Sequence, residues 1–454
     1  MPKKKTALTI EERLQQALVP AEEQPYEVPE NWVWVRLGAV CFFENGYAFK
    51  SDKFSSEKGI PVIRISNIKE NNVDLDDCIK TLEENIDEKY IVHQGDLLIA
   101  MSGATTGKNG VYMSANIAYL NQRVGNIKVK NKELLIEKFR NFYIANMQNE
   151  ILNTAYGGAQ PNISSQKMSV MTFPLPPLSE QQRIVERIEE LFTKLDEAKE
   201  RLQEVADSFA VRKAAILHKA FMGELTKQWR RENGVSDESW EEVSLKELSS
   251  VIGDGLHGTP VYSENGDYYF INGNNFDDSF IAIKESTKRV SIEEYKKYAV
   301  NLNDNTVFLS INGTLGKTAF YNGEPVILGK SACYINVGEK LDKRFLKEMF
   351  HTNAFINYAN QKATGSTIKN LGLKAIREYL VPLPSLPEQH EIVRLIDDLL
   401  ARERSVQQAA EQALASIDLM KKSILARAFR GELGTNKASE ASTLELLKQV
   451  LAEN

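Results

Sequence analysis

Cysteine is nearly absent from this chain: three in 454 residues, Cys41, Cys78 and Cys333, scattered singly and never as Cys-x-x-Cys. That argues against a disulfide frame and against a structural zinc site, and points to a reducing cytoplasmic setting. The five histidines, His93, His218, His257, His351 and His390, show no metal-ligand spacing. No stretch approaches the roughly 20 apolar residues of a membrane span. Lys3, Lys4 and Lys5 lead into no apolar run, so no secretory signal is expected. Phosphate-loop spacing, a dinucleotide fingerprint, a Gly-x-Ser-x-Gly elbow and an Asn-Pro-Pro-Tyr segment are all missing, so no residue is assigned a catalytic role and no metal or cofactor is assigned to the chain. Excess positive charge is missing too. The net charge of −6 argues against a uniformly basic nucleic-acid binder but not a locally basic one.

What is present is a duplication. Pro174-Leu175-Pro176-Pro177-Leu178-Ser179-Glu180-Gln181-Gln182 recurs as Pro382-Leu383-Pro384-Ser385-Leu386-Pro387-Glu388-Gln389-His390. The offset, 382 − 174 = 208, is repeated by Ala220-Phe221-Met222-Gly223-Glu224-Leu225 against Ala428-Phe429-Arg430-Gly431-Glu432-Leu433, and by Trp32 against Trp240. Between these anchors the likeness weakens. Ser102 to Lys108 resembles Ser310 to Lys317 with one extra residue in the second copy, and Gly157 and Asn162 match Gly365 and Asn370. Near-identical connecting segments with diverged heads suggest two readers of different sequences; an old duplication without that meaning is the alternative.

The connecting segments carry heptads. Ile184, Ile188, Leu191, Leu195, Ala198, Leu202, Val205 and Phe209 are spaced 4-3-4-3-4-3-4, with charged residues on the other faces. Ser179 with Gln182 fits a capping box, and Gly223 a stop. The second copy follows as Ile392, Ile396, Leu399, Glu403, Val406, Ala410, Ala413 and Ile417, with Glu403 breaking the stripe. The two seams either face each other or each packs on its own globular head. A helix over 180–218 would span roughly 58 Å. An antiparallel pair would put the heads at opposite ends, a separation on the scale of one DNA turn. Thr9 with Glu12 predicts a capped helix over 9–19, and 442–451 reads as a second terminal helix; these ends would pack together or on a partner, with flexible tails the alternative.

The heads, 31–178 and 232–386, read as mixed α/β, with strands over 61–65, 96–100, 268–271 and 307–310. Their loops are rich in Asn, Gly, Ser and Thr. Amides pair with adenine edges, and Lys or Arg with guanine or phosphate. Asn67, Ser102, Lys108, Gln122, Arg123 and Asn162 in the first head are therefore candidate contacts, with Asn274, Ser310, Asn312, Lys317, Lys330 and Asn370 in the second. For any single asparagine, turn chemistry is the competing account. The stretch Arg212, Lys213, Lys219, Lys227, Arg230 and Arg231 is expected to face phosphate or an acidic partner surface.

The two copies of the Pro-Leu-Pro segment, the heptad helices and Ala428-Phe429-Arg430-Gly431-Glu432-Leu433 resemble the specificity subunits of type I restriction–modification enzymes, over almost the whole chain. That resemblance implies an α+β fold in which two tandem target recognition domains are separated by two long antiparallel coiled-coil helices with pseudo-two-fold symmetry. The boundaries are 1–30 (N-terminal extension), 31–178 (first domain), 179–231 (first spacer helix), 232–386 (second domain), 387–434 (second spacer helix) and 435–454 (tail). It further implies double-stranded DNA as ligand, each domain reading half of a bipartite asymmetric site. The implied partners are two modification (methyltransferase) subunits carrying S-adenosylmethionine and restriction subunits using ATP and magnesium, with no catalysis and no cofactor in this chain. A coiled-coil assembly scaffold without DNA readout, and a stand-alone nuclease or methyltransferase with degenerate motifs, are the competing readings. A scaffold gives no reason for diverged heads, and the missing cofactor motifs disfavour the enzyme.

Overall fold

The computed structural model describes residues 9–83, 86–156 and 161–453; Gly157, matched above to Gly365, lies outside them. The chain divides into two compact units, 1–200 with 414–454, and 201–413. Each unit therefore holds one head, the start of the spacer helix that follows it, and the end of the other spacer helix.

Within each head, short β-rich segments pair around the expected strands. In the first unit, five strands run in the order Cys41–Asn45, Val124–Val129, Leu97–Ala100, Asn109–Val111, Asn71–Asn72. In the second, Ser249–Asp254, Ala332–Val337, Thr306–Ser310 and Thr318–Phe320 repeat that order. The central strands Leu97–Ala100 and Thr306–Ser310 are buried along their whole length, as strands covered on both faces should be. Each head closes with a two-stranded pair, Val33–Arg36 with Thr172–Leu175 and Glu241–Ser244 with Leu380–Leu383. The Pro-Leu-Pro signature is thus the last strand of a head running straight into a helix. Cys41, Cys78 and Cys333 are buried and free. Burial pushes the Cys41 thiol up to about 12 and raises the other two as well.

The spacer helices pair antiparallel in both units. In the first, Lys421 Nζ lies 2.5 Å from Asp196 Oδ1, and Ile184 and Ile188 share a core with Leu425, Ala428 and Phe429. In the second, Arg212 pairs with Glu403, and Leu217 and Ala220 share a core with Ile392 and Ile396. Both arrangements left open by the heptads hold at once, because these residues also complete the heads. Phe429, at the end of the second helix, sits edge-on to Phe139 and Tyr143 of the first head at 5.4 and 4.9 Å. Phe221, at the end of the first helix, lies 5.0 Å from Phe345 of the second. Fully burying one such ring contributes roughly 2–3 kcal/mol.

Three details depart from the heptad reading. The first spacer is two helices, Leu178–Asp207 and Phe209–Phe221. At the break, the Val205 carbonyl accepts from Ser208 Oγ and Arg212 Nη1, side-chain donors that compete with the helix ladder. In the second helix, Leu386–Ala428, Val406 is 48% exposed and lies off the seam, while Leu400 is buried at 4%. The buried stripe after Ile396 passes through Leu400, one residue later than the strict heptad, and is back on the heptad positions at Ala410 and Ile417. The proposed box at Ser179 is not formed. Gln182 reaches forward to Glu186 Oε1 (2.9 Å) instead.

The terminal helices do form, as Ile10–Ala17 with both arms of the Thr9–Glu12 box, and as Thr443–Glu453. They pack on each other: Arg13 Nη1 donates to the Leu451 carbonyl at 3.2 Å. No helix among the described residues is long and apolar enough to cross a membrane.

Candidate nucleic-acid interface

Each spacer helix starts from a buried Glu-Gln pair whose partners explain the motif. Gln181 donates to the carbonyls of Leu134 and Pro176 and accepts from the Ile136 amide; Gln389 does the same with Lys340, Pro384 and Asp342. Each glutamine bolts its helix to its head. Glu180, fully buried, accepts from Trp32 Nε1 (2.8 Å) and Asn436 Nδ2 (2.7 Å). Glu388, equally buried, accepts from Thr226 Oγ1 and Arg230 Nη1, both at 2.7 Å. In both units the helix start is thus closed by the segment that follows the other helix. The turn into that segment needs Gly223 and Gly431, at φ +72 and +74.

This closure overturns part of the basic-stretch expectation. Arg230 is buried and bonded to Glu388, Asp237 and the Gly223 carbonyl. Burial works against its charge, and the two carboxylates more than offset it, so its pKa is raised. Arg212 is held by Glu403. Both guanidinia are thus engaged within the second unit, Arg230 buried and Arg212 partly so; Lys219, Lys227 and Arg231 remain exposed.

At the far edge of each sheet, two loops meet. In the first head, Gly103 donates to the Pro161 carbonyl (2.9 Å), Ile163 to Met101 (2.9 Å), and Met101 to Arg123 (3.0 Å). The second head repeats this with Gly313 to Lys369 (2.9 Å), Leu371 to Ile311 (2.8 Å) and Ile311 to Ser331 (3.0 Å). Gly103 and Gly313 both sit at positive φ, +81 and +76, where a side chain would be strained. These bonds set the structural equivalence: Ser102 with Asn312, Asn162 with Asn370, Gln122 with Lys330, Arg123 with Ser331. They also correct the alignment, since Ala100 and not Ser102 stands opposite Ser310. Seven residues, 101–107, connect Ala100 to Lys108, against six, 311–316, between Ser310 and Lys317, so the extra residue is in the first copy.

In the first head this brings Ser102, Gln122, Arg123 and Asn162 to one groove, with Asn45 at its side. Gln122 and Arg123 are exposed on a tight turn closed by the Val124 amide on the Asn121 carbonyl (2.8 Å). The Ser102 hydroxyl is buried at the groove without a hydrogen-bond partner. In the second head Asn274, Asn312 and Lys330 share the corresponding groove, and Asn370 bridges to Asn312 beside it.

Four other candidates fall elsewhere. Asn67 is buried, its amide spent on the Arg64 N–H and the Asp74 carbonyl, a turn that Asn275 repeats with Asn272 and Ala282. Ser310 is buried too, donating to Thr314 and accepting from the Lys317 amide. Neither side chain is available to a base. Lys108 lines a separate groove with Lys421 and Lys422, and Lys317 is exposed outside both loop grooves. Sequence reading passed over Asn45 and the Asp254–His257 pair. The signal for the latter was a histidine three residues beyond an aspartate in the Gly-rich run Gly253-Asp254-Gly255-Leu256-His257-Gly258.

Two homologous lobes with matched loop grooves, each closed by the opposite helix, define a duplicated recognition protein. A family model for the type I restriction modification DNA specificity domain matches residues 29–206 and 237–413, and the chain belongs to that family. It is 27% identical to the EcoBI specificity subunit of Escherichia coli, over 94% of this chain and 93% of that one. It is 22% identical to the MjaVIII specificity subunit of Methanocaldococcus jannaschii, over 86% and 92%. The fold matches the crystal structure of the HsdS subunit from Thermoanaerobacter tengcongensis, with a TM-score of 0.58 at 19% identity, covering 90% of this chain and all of that one.

Proposed function

We propose that this chain is the DNA-reading subunit of a type I restriction–modification assembly, each head reading one half of a bipartite, asymmetric site in double-stranded DNA. One observation carries this reading: loop frameworks held by matching backbone bonds present different side chains at matched positions, Gln122 and Arg123 in one head, Lys330 and Ser331 in the other. Glutamine pairs with adenine edges and arginine with guanine, whereas lysine donates to guanine or phosphate as a point charge. Frames alike and tips unlike are what two half-sites of different sequence require.

The spacer helices, antiparallel within each unit, set the unspecified interval and carry the surface on which two methyltransferase subunits dock. Those partners supply S-adenosylmethionine and methylate adenine, and restriction subunits supply ATP- and magnesium-dependent translocation and cleavage. This chain contributes geometry and base contacts rather than chemistry.

The test is to map methylated adenines in host DNA with and without the gene. A two-part motif that vanishes on deletion and returns on complementation is expected. An unchanged methylome refutes the reading.

A further inference from the structure

The strand Ser249–Asp254 ends at the rim of the second groove, as Cys41–Asn45 ends at the rim of the first. Asn45 stands opposite Gly125 and Asp254 opposite Cys333, positions 208 apart, so these two residues are equivalent. Each then does something different. Asn45 Oδ1 accepts from Ser165 Oγ at 2.5 Å within the head. Asp254 instead holds His257, its Oδ2 2.7 Å from the ring Nε2. Through the paired backbone bonds of Tyr47 to Leu120 and Leu256 to Leu328, His257 is matched in the first head by Ala48, which carries no titratable group.

His257 lines the same groove as Asn274, Asn312 and Lys330. Its side chain is 72% exposed, against 23% for Asp254. A carboxylate only accepts, so Nε2 carries the proton of this bond and Nδ1 is left for a ligand. In the neutral ring Nδ1 is an acceptor; once protonated it is a charged donor. The charged groups around the ring are Asp254 on its own turn and Lys330 across the groove. Behind Asp254, Arg377 is bonded to the Ile252 carbonyl, and Tyr334 has its hydroxyl pKa raised by burial, then by Cys333 and Asp254.

The geometry assigns His257, oriented by Asp254, as a proton-linked DNA contact of the second head, with no counterpart in the first. Protonated at Nδ1, it donates to an acceptor on the half-site lying in that groove, a phosphate oxygen or a guanine edge, beside Lys330. Resting on the DNA-reading function above, this makes affinity for one half-site rise as pH falls while the other stays level.

The test uses the full-length chain in its methyltransferase assembly and a duplex carrying the mapped methylation motif. Binding is measured from about pH 8 to about pH 6, at several salt concentrations. A charge-assisted hydrogen bond predicts a gain of about tenfold across that range. If the acceptor is a phosphate, the salt slope steepens by about 1 and the gain persists on unrelated duplex; if it is guanine, the gain is confined to the motif. Either outcome supports the assignment. His257→Gln, at an exposed position, flattens the pH response. Should wild type and His257→Gln share one pH profile while Arg123→Ala and Lys330→Ala weaken binding, the assignment is overturned and the DNA-reading function stands. If none of these variants alters binding, both fail together.

Discussion

Replacing Arg230 with methionine probes the closure of the second unit most sharply. Glu388 is fully buried, and its Oε1 takes Arg230 Nη1 and Thr226 Oγ1 at 2.7 Å each. Its Oε2 has no partner among the described residues. Without Arg230, one hydroxyl is left to hold an anion removed from water. Breaking a buried ion pair from one side costs about 3–5 kcal/mol. For a unit of this size that lowers the melting temperature by roughly 6–20 °C. Arg230→Met with Glu388→Met removes the stranded charge and should restore most of the loss, because apolar replacement of a whole buried pair is often neutral. Arg394 forms equally short pairs with Glu391 and Asp398 but on an exposed helix face, and Arg394→Met should leave the melting temperature unchanged. The assay is thermal unfolding of the full chain, with hydrogen exchange read at the amides of Thr306–Ser310 and Leu97–Ala100. Protection should fall at the first segment only. If Arg230→Met costs no more than Arg394→Met, or the double variant is worse than the single, Glu388 is not a buried charge held by Arg230.

Phe429→Ala removes a fully buried ring from the first head's core and should cost about 3–5 kcal/mol, with exchange protection lost at Leu97–Ala100 and retained at Thr306–Ser310. Gly431→Ala places a Cβ 2.6 Å from Pro29 Cγ at a φ of +74; a destabilisation of about 1–3 kcal/mol is expected in a melting curve, confined to the same unit. Acid should weaken the second unit through Glu348. Burial opposes its charge, but the neighbouring His351 ring and the Lys347 ammonium, 2.7 Å from its Oε1, prevail, holding it at about 2 against an ordinary 4.5. A depressed carboxylate stabilises above its unfolded pKa and loses that stabilisation as pH falls, here between about pH 5 and pH 2. Glu348→Gln should flatten that part of the stability–pH curve.

Periodicity made the helices and strands legible, and the 208-residue offset revealed the duplication. Non-local completion of each core left no such trace. Phe429 and Phe221 stand in the sequence only as matched members of the repeated Ala-Phe-x-Gly-Glu-Leu segment, yet each fills the head that precedes the other's helix, because chain order and spatial order diverge. Val406 lies off the seam although Ala410 and Ile417, further along the same heptad, are buried on it, so the periodicity alone did not mark the departure. Arg230 looked like a surface cation because nothing near it in sequence marks Glu388, 158 residues on, as its partner. In the grooves, Gln122, Arg123 and Lys330 were found from residue type in a Gly- and Asn-rich context. The same reasoning swept in Asn67 and Ser310, whose short polar side chains serve their own turns. His257 was missed because only folding brings it beside Lys330.

The most direct test of the central claim is to map the methylated motif in a deletion strain complemented with Arg123→Ala or with Lys330→Ala. The account predicts that Arg123→Ala relaxes bases in one half of the motif and Lys330→Ala in the other, with the interval between them unchanged. Changes falling in the same half for both variants, or in neither, would contradict it.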